Sequence, residues 1–216
     1  MDAGAFVDAL PTLWDDFPRS ELPRDPRFAD VLEQVPGLTK PNNLALLNLA
    51  AAQLPPGEAY VEVGSLRGTS LIAAMLGNGG KNFVAIDDFS MRGASRETLE
   101  RNLARFGLAG AEIVAGDAFE VLRGGALAGR PVGVYYYDAA HTYEQQLEGL
   151  RLAEPYLSRE ALLIVDDTDW DFVAAAVADY LADQPNAASL VRIGGKDTGA
   201  PAWWEGVHVL AWDART

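Results

Sequence analysis

From residue 58 onward, short apolar runs alternate with longer segments in which apolar residues recur at helical spacing. The apolar runs predict seven strands, at 58–63, 82–87, 111–115, 131–138, 161–166, 188–194 and 206–212. The intervening segments predict helices at 68–77, 95–106, 142–156 and 169–182, and a short helix that ends at Leu122. Continuous apolar strands separated by helices are typical of a parallel sheet covered on both faces. No long helical pattern separates the last two strands, so an antiparallel hairpin is predicted at the sheet edge.

The N-terminal segment 1–55 has a different pattern. Short helices are predicted between prolines at 3–10 and 26–34, and a longer amphipathic helix at 39–54. Large apolar residues predict that this arm packs onto a larger body or a second subunit, with a lid as the alternative: Phe6, Leu10, Trp14 and Phe17. We therefore expect one domain at 1–216, with a helical arm at 1–55 and an α/β core at 56–216.

Composition narrows the classes of function. The chain has no cysteine, which excludes disulfides, thiolate metal sites and cysteine nucleophiles. Its formal net charge is −14, so binding to nucleic acid or to an anionic membrane surface is not expected. No apolar run reaches the roughly 18 residues that span a bilayer, and the first residues lack the basic region of a signal peptide. A cytoplasmic location and a small-molecule ligand are expected.

Acidic residues stand at the ends of the first five predicted strands. They are Glu62, Asp87, Asp117, Asp138, Asp166 and Asp167. Ligands of open parallel sheets bind at the carboxyl ends of the strands. An acid at every one of these ends is not expected by chance, so the pattern indicates a functional site along this edge.

The segment 60–70, Tyr-Val-Glu-Val-Gly-Ser-Leu-Arg-Gly-Thr-Ser, predicts a strand, a glycine-containing turn and the start of a helix. Gly64 and Gly68 let the backbone bend and let a ligand approach. Asp87, about 20 residues beyond the turn, has the position of the carboxylate that binds ribose in nucleotide-binding α/β folds. The turn lacks the Gly-x-Gly-x-x-Gly pattern of NAD sites, and its spacing from Glu62 fits S-adenosylmethionine better. A plain strand–helix turn with solvent-facing acids is the alternative.

A second acidic group, Asp138, Asp166 and Asp167, ends two strands that are expected to be neighbours. Converging carboxylates repel one another unless a cation neutralises them, and Mg²⁺ suits oxygen ligands. His141 follows three residues after Asp138 and could accept a proton from a metal-bound hydroxyl. The alternatives are a helix-flanking position for His141 and a helix N-cap for Asp167.

Three tryptophans are candidates for an acceptor pocket. Trp170, Trp203 and Trp204 are predicted either to wall such a pocket or to pack at an edge or subunit interface. The tyrosine run 135–137 is predicted to be a buried strand without a further role, and His208 to be structural.

These residues resemble those of class I S-adenosylmethionine-dependent methyltransferases, from about residue 39 to the C-terminus. The chain is most similar to the macrocin and mycinamicin type of sugar O-methyltransferase, and more distantly to catechol O-methyltransferase. The matching segments are Val-Glu-Val-Gly-Ser-Leu-Arg-Gly-Thr-Ser (61–70), Ile-Asp-Asp-Phe (86–89), Ala-Gly-Asp-Ala (115–118), Tyr-Asp-Ala-Ala-His-Thr-Tyr-Glu (137–144) and Ile-Val-Asp-Asp-Thr (164–168). The resemblance implies an α/β, Rossmann-like fold with a mostly parallel seven-stranded sheet, an antiparallel C-terminal edge hairpin and an N-terminal helical arm.

The resemblance also implies roles for single residues. Those implied to bind S-adenosylmethionine are Glu62, Gly64, Ser65, Gly68, Ser70, Asp87, Asp117 and Ala118. Among them, Asp87 would hold the ribose, and Asp117 with Ala118 would border the adenine. The implied Mg²⁺ ligands are Asp138, Asp166 and Asp167. His141 would be the general base, with Asp138 as the second catalytic residue.

The function expected from this resemblance is Mg²⁺-dependent transfer of a methyl group from S-adenosylmethionine to a hydroxyl of a small molecule. The alternatives are a metal-independent methyltransferase that acts on another nucleophile, a non-catalytic S-adenosylmethionine-binding protein and, more distantly, a NAD-dependent protein. The sequence leaves open whether the acceptor is a sugar or phenol-like. It also leaves the oligomeric state open, although the apolar arm is compatible with a homodimer.

Overall fold

The structure is a computed structural model that describes residues 1–140, 142–195 and 202–215. Its strands are β1 Ala59–Val63, β2 Asn82–Asp87, β3 Ala111–Ala115, β4 Val132–Tyr137, β5 Leu157–Asp166, β6 Ala187–Ile193 and β7 Val207–Asp213. They form one sheet in the order β3-β2-β1-β4-β5-β7-β6. The first five strands are parallel, whereas β7 is antiparallel to both β5 and β6. The prediction of a mostly parallel seven-stranded sheet with an antiparallel C-terminal hairpin is confirmed.

Helices cover both faces of the sheet. They are α1 Ala3–Ala9, α2 Arg27–Gln34, α3 Pro41–Ala52, α4 Thr69–Met75, α5 Arg96–Arg105, α6 Ala118–Arg123, α7 Tyr143–Ala153 and α8 Asp171–Asp183. Side chains alternate along each strand, so Tyr60 packs with the layer of α1 to α5 and Val61 with the layer of α6 to α8. In the part of the chain that the structure describes, no helix has the length and apolarity to cross a membrane.

The longer N-terminal helix is more buried than its predicted amphipathic pattern suggests. Most of α3, including Leu44, Leu46 and Leu47, is shielded from solvent because the N-terminal arm covers its outer side. The Trp14 indole N–H donates a hydrogen bond of 2.8 Å to Oδ1 of Asn42 in this helix. The helix therefore lies between the arm and the sheet rather than at the surface.

The N-terminal arm packs against the loop that precedes β7. The rings of Trp14 and Trp203 lie 5.0 Å apart, and Phe17 completes the cluster at 5.2 Å from Trp14 and 6.1 Å from Trp203. The Trp203 indole N–H also donates to the Pro18 carbonyl at 2.8 Å. Of the two predicted roles for the arm, packing is the one that these contacts support.

Two element boundaries differ from the predicted ones by three or four residues, and the others lie within two residues of prediction. The helix predicted at 142–156 ends at Ala153 and continues as the 3₁₀ turn Glu154–Tyr156, because Pro155 has no N–H to extend an α-helix. Strand β5 begins at Leu157, four residues earlier than predicted. Its last residue, Asp166, ends the strand at the predicted position.

Candidate active site

A cavity of about 590 Å³ opens at the carboxyl ends of the parallel strands, within the range of roughly 300–1,000 Å³ typical of ligand sites. The residues predicted to bind a cofactor that line this cavity are Gly64, Ser65, Ser70, Asp87, Asp117 and Ala118. Glu62 lies behind the wall that the two serines form, fully buried in β1. Gly68 is not among the residues described as lining the cavity, and it is the N-cap that precedes α4.

The turn after β1 requires glycine at Gly64. The φ angle there is +89°, and a Cβ atom would lie 1.8 Å from the carbonyl oxygen of Asp138. The Asp138 N–H donates to the carbonyl of Val63 at 2.9 Å, so the ends of β1 and β4 meet at this point. The close approach joins the predicted cofactor turn to the predicted catalytic strand end.

The carboxylate of Asp87 shapes this same turn. Its Oδ2 accepts hydrogen bonds of 2.7 Å from the N–H groups of Ser65 and Leu66, and its Oδ1 accepts one of 2.6 Å from Phe89. These bonds fix the loops after β1 and β2 relative to each other. The predicted contact of Asp87 with a ribose stays a prediction.

The buried acid Glu62 is held by hydroxyl groups. The Tyr60 hydroxyl donates to its Oε2 at 3.1 Å. Burial raises the pKa of Glu62 to about 7, while the nearby hydroxyls of Ser65, Ser70 and Tyr60 oppose this rise. The group can therefore change its protonation near neutral pH, next to the turn.

The residues that are predicted to border the adenine lie at the start of α6. Asp117 is the N-cap of this helix, because its Oδ1 accepts a hydrogen bond of 2.9 Å from the Glu120 N–H. Ala118 and Phe119 follow it and line the cavity. A small and an aromatic side chain side by side offer a flat apolar surface, which suits a ring system.

A tyrosine joins two of the predicted metal ligands. The Tyr136 hydroxyl lies 2.7 Å from Oδ2 of Asp166 and 3.2 Å from Oδ2 of Asp138. The Asn43 side-chain amide approaches Oδ1 of Asp166 at 3.4 Å. Asp138 lines the cavity, whereas Asp166 lies behind it.

Burial is the first cause that raises the pKa values of the three predicted metal ligands, and neighbouring charges add to it for Asp138 and Asp167. Desolvation raises the pKa of Asp138 well above its ordinary value, and the charges of Asp166, Asp167 and Glu62 add to this effect. Burial raises the pKa of Asp166 to about 6. The pKa of Asp167 rises to about 7, first through burial and then through the charges of Asp166 and Glu205. A cation bound here would relieve this repulsion.

The described geometry does not fit a three-carboxylate metal site. Among residues 1–140, 142–195 and 202–215, no group of three or more His, Cys, Asp or Glu side chains is arranged to hold a metal ion. The all-oxygen donor set suits Mg²⁺, but Asp138 and Asp166 share the Tyr136 hydroxyl. The predicted base, His141, lies outside the described residues.

The tryptophans divide between the two predicted roles. Trp170 and Trp204 line the cavity, next to Glu205. Trp203 is fully buried against the N-terminal arm and lines no part of the cavity. His208 is buried in β7 with its Nε2 2.7 Å from Oγ of Ser189, as expected of a structural residue.

Sequence reasoning assigned no role to Tyr136 or Asn43. The signal for Tyr136 was the alternation of side chains along a strand, because Tyr136 and Asp138 are two residues apart and point to the same face. Tyr135 and Tyr137 face the opposite layer, which contains α7 and α8. For Asn43 the signal was a polar residue in a mostly apolar helix, since a buried amide needs a partner.

A family model described as a methyltransferase domain matches residues 61–168, half of the chain. The matched segment extends from β1 to the loop after β5 and contains every predicted site residue. A search of the curated proteins found no match.

Solved structures share the architecture. TomG from Streptomyces achromogenes, an O-methyltransferase in complex with SAM, has a TM-score of 0.68 at 18% identity, covering 99% of this chain and 100% of that chain. An O-methyltransferase from Bacillus cereus in complex with SAH has a TM-score of 0.64 at 15% identity, covering 98% and 100%. Cofactor-bound Rv0187 from MTB has a TM-score of 0.65 at 24% identity, covering 98% and 95%. At these identities the similarity establishes the fold.

Proposed function

The chain belongs to the methyltransferase-domain family, and from this we propose that it transfers a methyl group from S-adenosylmethionine to a hydroxyl oxygen of a small molecule. One observation carries the proposal. The cavity at the carboxyl ends of the strands is lined by residues that the resemblance assigns to this cofactor, from Gly64 to Ala118. All of them lie inside the segment that the family model matches.

The charges around the turn support this choice of cofactor. S-adenosylmethionine carries a sulfonium and an ammonium group, and two acidic residues adjoin the turn: Glu62 precedes Gly64 in β1, and the backbone carbonyl of Asp138 approaches Gly64. Asp87 holds the turn in shape through its bonds to the backbone. Phe119, beside Ala118, offers an apolar surface for the adenine ring.

The proposed reaction is an in-line displacement. The cofactor, when bound, supplies an electrophilic methyl group. An acceptor oxygen forms the new bond to carbon as the carbon–sulfur bond breaks, and the hydroxyl proton leaves to a base. The cavity walls orient the acceptor and exclude water, and positioning of this kind supplies much of the acceleration. We assign the proton transfer to His141, three residues after Asp138 in the chain, an assignment that rests on the sequence pattern alone.

The magnesium site predicted from the sequence is a separate question from the proposed reaction. Three acidic side chains at neighbouring strand ends favour a hard cation, with Asp138, Asp166 and Asp167 as the ligands. The described arrangement does not fit such a site, since Tyr136 bridges two of them. The proposed reaction therefore contains no step through a metal. Calorimetric titration with MgCl₂ alone, and activity in EDTA before and after Mg²⁺ is restored, test for this site.

Binding and turnover test the central proposal. We expect calorimetry to show that S-adenosylmethionine and S-adenosylhomocysteine bind and that NAD does not. A panel of hydroxylated sugars and phenols should then yield S-adenosylhomocysteine with at least one acceptor. Absence of binding by either cofactor form would contradict the proposal. If S-adenosylmethionine binds but is not consumed with any acceptor, a non-catalytic role would be favoured.

The more specific resemblance, to the sugar O-methyltransferases, is also part of this proposal. Its support is the Asp-x-x-His spacing of Asp138 and His141. The same panel compares it with a phenol-like acceptor, because sugars and phenols are tested side by side.

A further inference from the structure

The cavity has a second half that the proposed cofactor residues do not occupy. It is lined by residues from three separate loops: Leu38 and Thr39 before α3, Trp170 before α8, and Trp204 and Glu205 before β7. The loops before α8 and β7 adjoin β5 and β7, which lie on the far side of β4 from the β1–β2–β3 edge, and Lys40, next to Thr39, reaches Trp204. This half of the cavity is therefore the place left for an acceptor.

Aromatic rings form part of this half. Trp170 and Trp204 are both half-buried, so each keeps part of its surface for a ligand. The Lys40 ammonium lies 5.9 Å from the centroid of the Trp204 ring. At this distance the face of the indole is within the range at which aromatic rings attract a cation.

Hydrogen bonds and ring contacts hold this wall of the cavity in a defined position. The Asp169 N–H donates to the carbonyl of Glu205 at 2.7 Å, which joins the loop before α8 to the loop before β7. Trp203 anchors the same segment through its bond to Pro18 and its packing on Trp14. The side chains of Trp204 and Glu205 are thereby presented at a defined place.

Acidic residues line this half. Glu205 lies there with Asp138 and Asp167, whose pKa values burial raises, and the Lys40 ammonium lies beside Trp204. The charge of Glu205 acts on Asp167, which places the two groups within electrostatic reach of each other. Low-dielectric walls strengthen such a field, so it attracts a cationic ligand and repels an anionic one.

A buried hydroxyl adds a polar anchor. Thr39 lines the cavity and is 6% exposed, and its Oγ1 has no hydrogen-bond partner among the residues that the structure describes. A buried polar group without a partner is costly. A ligand hydroxyl that bonds to Thr39 would remove that cost.

We propose that the acceptor is a hydroxylated ring compound that carries a protonated amine. The ring packs against Trp170 and Trp204, a hydroxyl bonds to Thr39, and the amine faces Glu205. The inference rests on the proposed function, because it assigns the acceptor of that same cavity. An aromatic amine and an amino sugar share this chemistry, and the experiment separates them.

The experiment measures how two series of compounds bind to the full chain saturated with S-adenosylhomocysteine. Within each series the compounds differ in charge. One series is 3,4-dihydroxybenzylamine, 3,4-dihydroxybenzyl alcohol and 3,4-dihydroxybenzoate; the other is glucosamine, glucose and glucuronate. Calorimetry should show that the amine of at least one series binds about tenfold tighter than its carboxylate, since one nearby charge supplies energy of this order. Glu205→Gln should reduce that ratio to about threefold. Glu33→Gln, an exposed change in α2 with the same effect on net charge, should leave it unaltered.

Several outcomes overturn the inference. They are equal or tighter binding of the carboxylates, an unchanged ratio in Glu205→Gln, and failure of every compound to bind beside S-adenosylhomocysteine. If Glu205→Gln does not fold, the ratio of amine to carboxylate affinity is measured in the wild type at increasing salt concentration instead. Screening should lower this ratio if it is of electrostatic origin. Failure of S-adenosylhomocysteine itself to bind is a distinct result, which would remove the proposed function and the inference with it.

Discussion

The Tyr136 hydroxyl donates a hydrogen bond of 2.7 Å to the buried carboxylate of Asp166. The same oxygen lies 3.2 Å from Oδ2 of Asp138, on the cavity side. Two acids that would repel each other are thus held around one hydroxyl group. The tyrosine therefore connects Asp138 in the cavity wall to Asp166 behind it.

Replacement of Tyr136 by phenylalanine tests this connection. Tyr136→Phe leaves two buried carboxyl groups without their shared donor, so we expect unfolding free energy to fall by roughly 1–3 kcal/mol. We also expect methyl transfer to fall by more than cofactor affinity, because Asp138 loses its orientation. Urea denaturation, calorimetry and steady-state kinetics measure the three quantities.

A matched control lies one residue away. The Tyr135 hydroxyl is also buried, but it donates to the Gly149 carbonyl on the opposite layer, at 3.1 Å. Tyr135→Phe should lower stability by a similar amount and leave turnover near the wild-type value. Equal turnover in the two variants would show that the Tyr136 bridge has no part in the reaction.

Asp87 should act on the cofactor chiefly through the backbone that it holds. Asp87→Ala removes two charge-assisted bonds to Ser65 and Leu66, so affinity for S-adenosylhomocysteine should fall by about 10- to 100-fold. Asp88→Ala is the comparison, since Asp88 also lines the cavity but accepts its bond from Ser90 in its own loop. A larger loss of affinity in Asp88→Ala than in Asp87→Ala would indicate that Asp88 binds the ribose.

The sheet could be predicted because each of its strands and connecting helices is specified by a short segment of the sequence. Five apolar runs of buried-strand length, each followed by a helical pattern, specify parallel βα units. The acids then fall at the carboxyl edge as a geometric consequence, which is why Asp87, Asp117 and Asp138 reach one cavity. The start of the helix predicted at 142–156 was equally local, because Thr142 is its N-cap and accepts a hydrogen bond from the Gln145 N–H.

Contacts between distant segments could not be predicted in this way. Tyr136 reaches Asp166 only because β4 and β5 pair in a register that sets Tyr136 opposite Ile164. Register and helix docking depend on the whole packed core. For the same reason the sequence could not show that Trp203 would bond to Pro18, 185 residues away.

His141 is the predicted base, and its removal should affect the chemical step alone. His141→Ala should lower kcat by about 100-fold or more, as expected for loss of a general base. The dissociation constant of S-adenosylhomocysteine should change little, because the resemblance assigns cofactor binding to other residues. Normal turnover in His141→Ala would exclude it as the base and leave Asp138 as the candidate.

The buried carboxyl of Glu62 should make stability depend on pH near neutrality. Its pKa is raised by burial from an ordinary value of 4.5 to about 7 in the folded chain. Between these values the unfolded chain releases a proton that the folded chain retains, so folding stability contributed by this group is lost as pH rises from about 4.5 to 7.

Glu62→Gln removes this titration, since glutamine stays neutral. The free energy of unfolding of the wild type, relative to Glu62→Gln, should therefore fall by on the order of 2–3 kcal/mol between pH 5 and pH 8. Urea denaturation of both proteins across this range measures the difference. A difference that stays constant with pH, or that rises, would mean that Glu62 is ionised throughout. In that case the hydroxyls of Tyr60, Ser65 and Ser70 would outweigh the effect of burial.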